Sequence, residues 1–96
     1  MSIWPTYKVS EKLNQVIIEL RKRDDVATKV YDWLRWMANC RDDEIEPVLN
    51  IDTFVDRVNS YIQNGDMDRL YGYVKSQESM VREYNLARAI AIIFGS

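Results

Sequence analysis

The stretch NLARAIAIIFGS, residues 85–96, decides the fold. By residue type its run AIAIIF (89–94) would suit a short buried strand. By period it prolongs a helix, because Met80, Val81, Tyr84, Ala87 and Ala91 lead into it at helical spacing. No other segment alternates with period two over a useful length, so a strand here would have nothing to pair with. The spacing therefore predicts a helix over 79–94, ended by Gly95. Its first half is two-faced, with Arg82, Glu83, Asn85 and Arg88 outside. From Ala89 to Phe94 it is apolar all round, and such a helix is buried all round.

Two kinds of burial meet that requirement. The plain expectation is that the last helix occupies the centre of a five-helix domain. The competing one keeps Tyr84 and Ala91 on the core side and lets Leu86, Ile90 or Ile93, on the opposite face, contact another chain, most simply a second copy. A membrane anchor is disfavoured, since the run makes only about two turns and lacks a basic flank.

Working back along the chain, QNGDMDRLYGYVK reads as a glycine-ended helix, a cap at Asp66 and a further helix over 67–75 carrying Met67, Leu70, Tyr71 and Val74. KSQES is then a short joint. Upstream, Asp52 is the expected cap of a helix over 53–64, whose stripe is Phe54, Val55, Val58, Tyr61 and Ile62. Residues 26–40 form a helix capped by Asp24 or Asp25, with Val26, Val30, Trp33, Leu34 and Met37 on one face. A first helix over 11–23, capped by Ser10, carries Leu13, Val16, Ile17 and Leu20. The expected fold is all-α: one small domain, 1–96, a compact bundle of four to five short helices. Residues 1–10 form an extended lead-in, and 41–52 an acidic connection. The predicted core is Leu13, Ile17, Leu20, Val30, Trp33, Leu34, Met37, Phe54, Val58, Ile62, Leu70, Val74, Tyr84 and Ala91.

Composition narrows the chemistry. The chain has 96 residues, 47% of them hydrophobic, and a net charge of −2. That balance suits a packed core and gives no global pull toward nucleic acid. Charge is uneven: residues 1–23 carry a net +3, 24–56 a net −6 and 57–96 a net +1. There is no histidine, the residue most used for proton transfer near neutral pH and for metal binding. The single cysteine, Cys40, has neither a disulfide partner nor a histidine to activate it. The three glycines, at 65, 72 and 95, form no phosphate-binding loop. No catalytic residue, metal site or cofactor is expected, and the reading is that the protein is not an enzyme. The opening MSIWPTYKVSEK lacks the pattern of a secretory signal, and no apolar run reaches the ~20 residues of a membrane span. The expected location is cytoplasmic, in the protein's own cell or in a host cell.

Binding residues are sought in three places. YDWLRW (31–36) offers Tyr31, Arg35 and Trp36, of the types enriched at interface hot spots; Tyr31 points away from the apolar stripe and could instead rest on a neighbouring segment. RDDEIE (41–46) groups Asp42, Asp43, Glu44 and Glu46. It lacks the glycine and spacing of a calcium loop but could dock onto a basic groove. The last helix offers Leu86, Ile90 and Ile93 as an oligomer interface. Arg21, Lys22 and Arg23 complement the dipole of the first helix, and Asp24 and Asp25 beside them disfavour phosphate. The sequence thus points to a small protein-binding module acting by occlusion of a partner's surface. Its type is that of an inhibitor, immunity protein or antirepressor, such as phages and mobile elements encode. The partner is a protein, with a homodimer through the last helix as one form. The alternatives are a helical DNA-binding regulator, resting on Arg69, Tyr73 and Lys75, and a homo-oligomeric assembly protein.

Overall fold

The computed structural model describes residues 8–95. It is all-α, with five helices in the order α1 (Lys8–Arg21), α2 (Thr28–Ala38), α3 (Asp42–Ile45), α4 (Ile51–Asn64) and α5 (Met67–Phe94). The first seven residues of the expected lead-in lie outside the described residues, while Lys8 to Ser10 already belong to α1.

The core gathers one stripe from each helix. Val9, Leu13, Val16, Ile17 and Leu20 of α1 meet Val30, Leu34 and Met37 of α2, Ile51, Phe54 and Val58 of α4, and Leu70, Val74 and Val81 of α5. Ile45 and Leu49, from the segment between α2 and α4, are also buried. Aromatic rings close the edges. Trp33 meets Tyr71 edge-to-face at 5.0 Å, and Phe54 stacks on Tyr73 at 5.4 Å. Trp33, Ile62 and Tyr84, predicted as core, are half-buried, and Ala91 is exposed.

Three local expectations are corrected. Asp25 does not cap α2; its carboxylate accepts two bonds of 2.9 Å from the Arg23 guanidinium, and α2 starts after Ala27 with no side-chain cap. Arg23 also donates to the Ile62 carbonyl at 3.3 Å, joining the first connection to the end of α4. Asn50, not Asp52, caps α4, accepting from the Thr53 amide at 3.0 Å, while Asp52 pairs with Lys12 across to α1. The third correction is the largest. KSQES is no joint: α5 runs 28 residues without a break. Nothing in that segment stops a helix, for it has neither proline nor glycine, and its glutamate, Glu78, faces inward with only 4% exposed.

α4 ends as its sequence requires. Gly65 takes φ +70°, and the Asp66 amide donates back to the Tyr61 carbonyl at 3.0 Å, the paired arrangement that closes a helix through a left-handed residue. Asp66 then caps α5, accepting from the Arg69 amide at 3.3 Å.

Candidate functional site

A 28-residue helix is about 42 Å long at 1.5 Å per residue. The bundle covers only part of α5. The inward face of α5 is Leu70, Val74, Glu78 and Val81, followed by the half-buried Asn85. The last ties to the domain come from α3. The Asn85 side-chain amide donates to the Glu44 carbonyl at 2.9 Å, and the Arg88 guanidinium lies 3.7 Å from the Asp43 carboxylate. Beyond Arg88 every residue to Gly95 is exposed and none is charged.

The expectation that the last helix is the centre of the domain is therefore overturned. Its polar half is the inner part and its most apolar end is outside. Leu86, Ile90, Ile92, Ile93 and Phe94 are 63%, 48%, 67%, 68% and 79% exposed. On α1 the exposed Ile18 stands alone, which is ordinary for a folded surface. Five large apolar side chains within nine residues are not ordinary, because contiguous patches of this kind mark interaction surfaces.

The patch has a direction. At about 100° per residue, Leu86, Ile90 and Ile93 fall in one line with four-then-three spacing, on the side of α5 away from the bundle. Ala87 and Phe94 lie along one flank of that line. Ile92 points the other way and lines a shallow groove with Arg41, Glu44, Asn85, Arg88 and Ala89.

The base of this end is fixed by a mixed cluster. The buried Glu78 carboxylate pairs with the Arg82 guanidinium one turn on, and that guanidinium lies over the Trp36 ring at 4.2 Å. The Cys40 thiol sits beside them, donating to the Trp36 carbonyl at 3.5 Å. Burial pushes the thiol above its ordinary range and Glu44 adds to the rise, with Arg82 opposing, so Cys40 is held as a protonated thiol.

The other sequence-selected residues do not gather into one face. The Tyr31 hydroxyl donates to the Leu20 carbonyl at 2.8 Å, tying α2 to α1. Arg35 is exposed, and Trp36 is half-buried under Arg82. Among the acidic residues, Asp42 accepts from the Val9 amide at 3.3 Å and Glu44 from the Arg41 amide at 2.8 Å. Asp43 lies 3.3 Å from the Arg41 guanidinium as well as near Arg88, and Glu46 is exposed. Sequence reasoning marked Leu86, Ile90 and Ile93 but missed Ile92 and Phe94. The signal was present in the all-round apolar run itself.

Among the described residues no three acidic or sulfur side chains form a metal-holding group. None of the described helices is long and apolar enough to cross a membrane. No family model, no curated protein and no solved structure matches the chain.

Proposed function

We propose that the chain is a small protein-binding module that docks through the exposed end of α5 and acts by covering the surface it meets. The observation that carries this reading is the uncharged, exposed segment after Arg88, whose large apolar side chains the rest of the domain leaves in water. Anchors at i, i+4 and i+7 are the pattern by which one helix is read by a groove or by another helix. Occlusion is the mode of action that fits a chain whose resources lie in shape and apolar area, and the inhibitor-like role is an analogy of type.

The test is the pair Ile90→Asp with Ile93→Asp. If the segment is a docking surface, the doubly substituted protein stays folded at ~1 µM, with cooperative unfolding and little change in far-ultraviolet dichroism, because both side chains are largely in water in the monomer. Loss of cooperative unfolding in that variant would mean that the segment belongs to the protein's own core, and the reading would fail.

A further inference from the structure

We infer that the occupant of the α5 end is a second copy of this chain, paired antiparallel about Ile90. The inference rests on the docking role just proposed and adds its partner and its register.

The segment is complementary to itself. Place a twofold axis beside Ile90, perpendicular to two antiparallel α5 helices. Residue 90+k of one copy then lies level with residue 90−k of the other, and the flank decides which of two neighbouring residues it meets. Ile90 meets Ile90. Ile93, on one flank of the seam, meets Leu86 on the same flank of the partner. Phe94, on the other flank, comes over Ala87, whose small side chain leaves room for the ring. Large thus meets large at the seam and large meets small beside it, which is the condition for two helices to interdigitate.

The surroundings allow this approach. The seam lies on the side of α5 away from its inward face, and in this register the two helices overlap only over residues 86–94, beyond most of the bundle. The net charge of −2 offers little repulsion between copies. The area is small. Leu86, Ile90, Ile93 and Phe94 together expose roughly 400–500 Å² per copy, so pairing covers at most about 800–1,000 Å² in all. That is the low end for a specific interface, and the dimer that follows is weak and reversible.

Sedimentation equilibrium of the full chain from ~1 µM to ~1 mM tests this, together with Ile90→Cys and Phe94→Cys, each made with Cys40→Ala so that it carries one cysteine, under oxidation. The wild type is expected to pass from the 11.4 kDa monomer to twice that mass, and Ile90→Asp to remain at 11.4 kDa throughout. Ile90→Cys is expected to give a disulfide-linked dimer. Phe94→Cys is not, because the antiparallel register separates the two positions by about eight residues, or ~12 Å, beyond the reach of a disulfide. A wild type that stays at 11.4 kDa at the highest concentration while the double aspartate variant is folded overturns the second copy and leaves the docking surface standing. Cross-linking through Phe94→Cys but not Ile90→Cys overturns the antiparallel register. An unfolded double aspartate variant removes the docking reading itself.

Discussion

Removing Arg82 should damage the fold more than removing the charge of its partner, Glu78. The reason is the unequal burial of one ion pair: the Glu78 side chain is 6% exposed and the Arg82 side chain 55%. In Arg82→Ala, a buried carboxylate loses its cation, and Trp36 loses the guanidinium above its ring. Breaking a buried pair from one side costs about 3–5 kcal/mol; with half of the arginine already in water, the lower end of that range applies, about 3 kcal/mol. In Glu78→Gln the buried group is neutral, nearly the same shape, and able to hydrogen-bond. Arg82 keeps water and the Trp36 ring, so the loss should be about 1 kcal/mol. Urea unfolding followed by tryptophan fluorescence and far-ultraviolet dichroism measures both, below ~1 µM protein so that self-association does not contribute. A Glu78→Gln loss equal to or larger than that of Arg82→Ala would refute the argument, since it would mean that the carboxylate itself, and not its pairing, holds α5 to α2.

The glycines of the two long helices should respond in opposite directions. Gly65→Ala forces a side chain into φ +70° and should cost about 1 kcal/mol, whereas Gly72→Ala lies in an exposed helix interior with nothing within 4 Å of the new methyl and should add about 0.5–1 kcal/mol. Thermal midpoints moving about 4–8 °C per kcal/mol, down for the first and up for the second, check both. Stability should also fall on the alkaline side. Burial raises the Cys40 thiol and the Tyr73 hydroxyl above their ordinary ranges, so the unfolded chain releases those protons first. The contribution is full below the ordinary thiol and phenol ranges and is lost as pH rises through the folded values. Chemical denaturation at stepped alkaline pH should show the loss, and Cys40→Ala should remove the thiol share of it.

Most of the fold was legible because most of it is periodic. The stripes of α1, α2 and α4 each place apolar residues at helical spacing, and the caps at Gly65 and Asp66 use the residues their conformations demand. What escaped was set by contacts that periodicity cannot express. The helix over residues 42–45 is too short to show a period; the sequence suggests only a short helical turn somewhere in this connection, laid on the domain by Ile45, Val48, Leu49 and Ile51, of which Ile45, Leu49 and Ile51 are buried. Asp25 looked like a cap, but Arg23 two residues earlier claims it. Glu78 looked like part of a solvated joint because a charged residue scores as exposed, and only Arg82 one turn later hints otherwise. The end of α5 reads as a segment requiring cover, and the domain leaves it exposed. One chain's period is the same whether that cover comes from its own bundle or from another molecule.

The acidic segment and the apolar end, separate features in the sequence, meet in the structure. α3 is short, yet its carboxylates and carbonyls reach both ends of the chain. Asp42 holds the start of α1 through the Val9 amide, while Asp43 and the Glu44 carbonyl hold Arg88 and Asn85 of α5. These are the last restraints before the exposed run begins, so α3 defines where the bundle stops and the free helix starts. Much of the local negative charge is met by Arg41 and Arg88, which leaves less of it to attract a distant basic partner than the net −6 of residues 24–56 suggests. The same pairing gives the segment a mechanical consequence. By bracing α5 one turn before Ile90, it keeps the apolar end aligned with the rest of a long helix. In the proposed pair, a helix already aligned in this way loses less conformational freedom, which lowers the cost of association that a small interface must overcome.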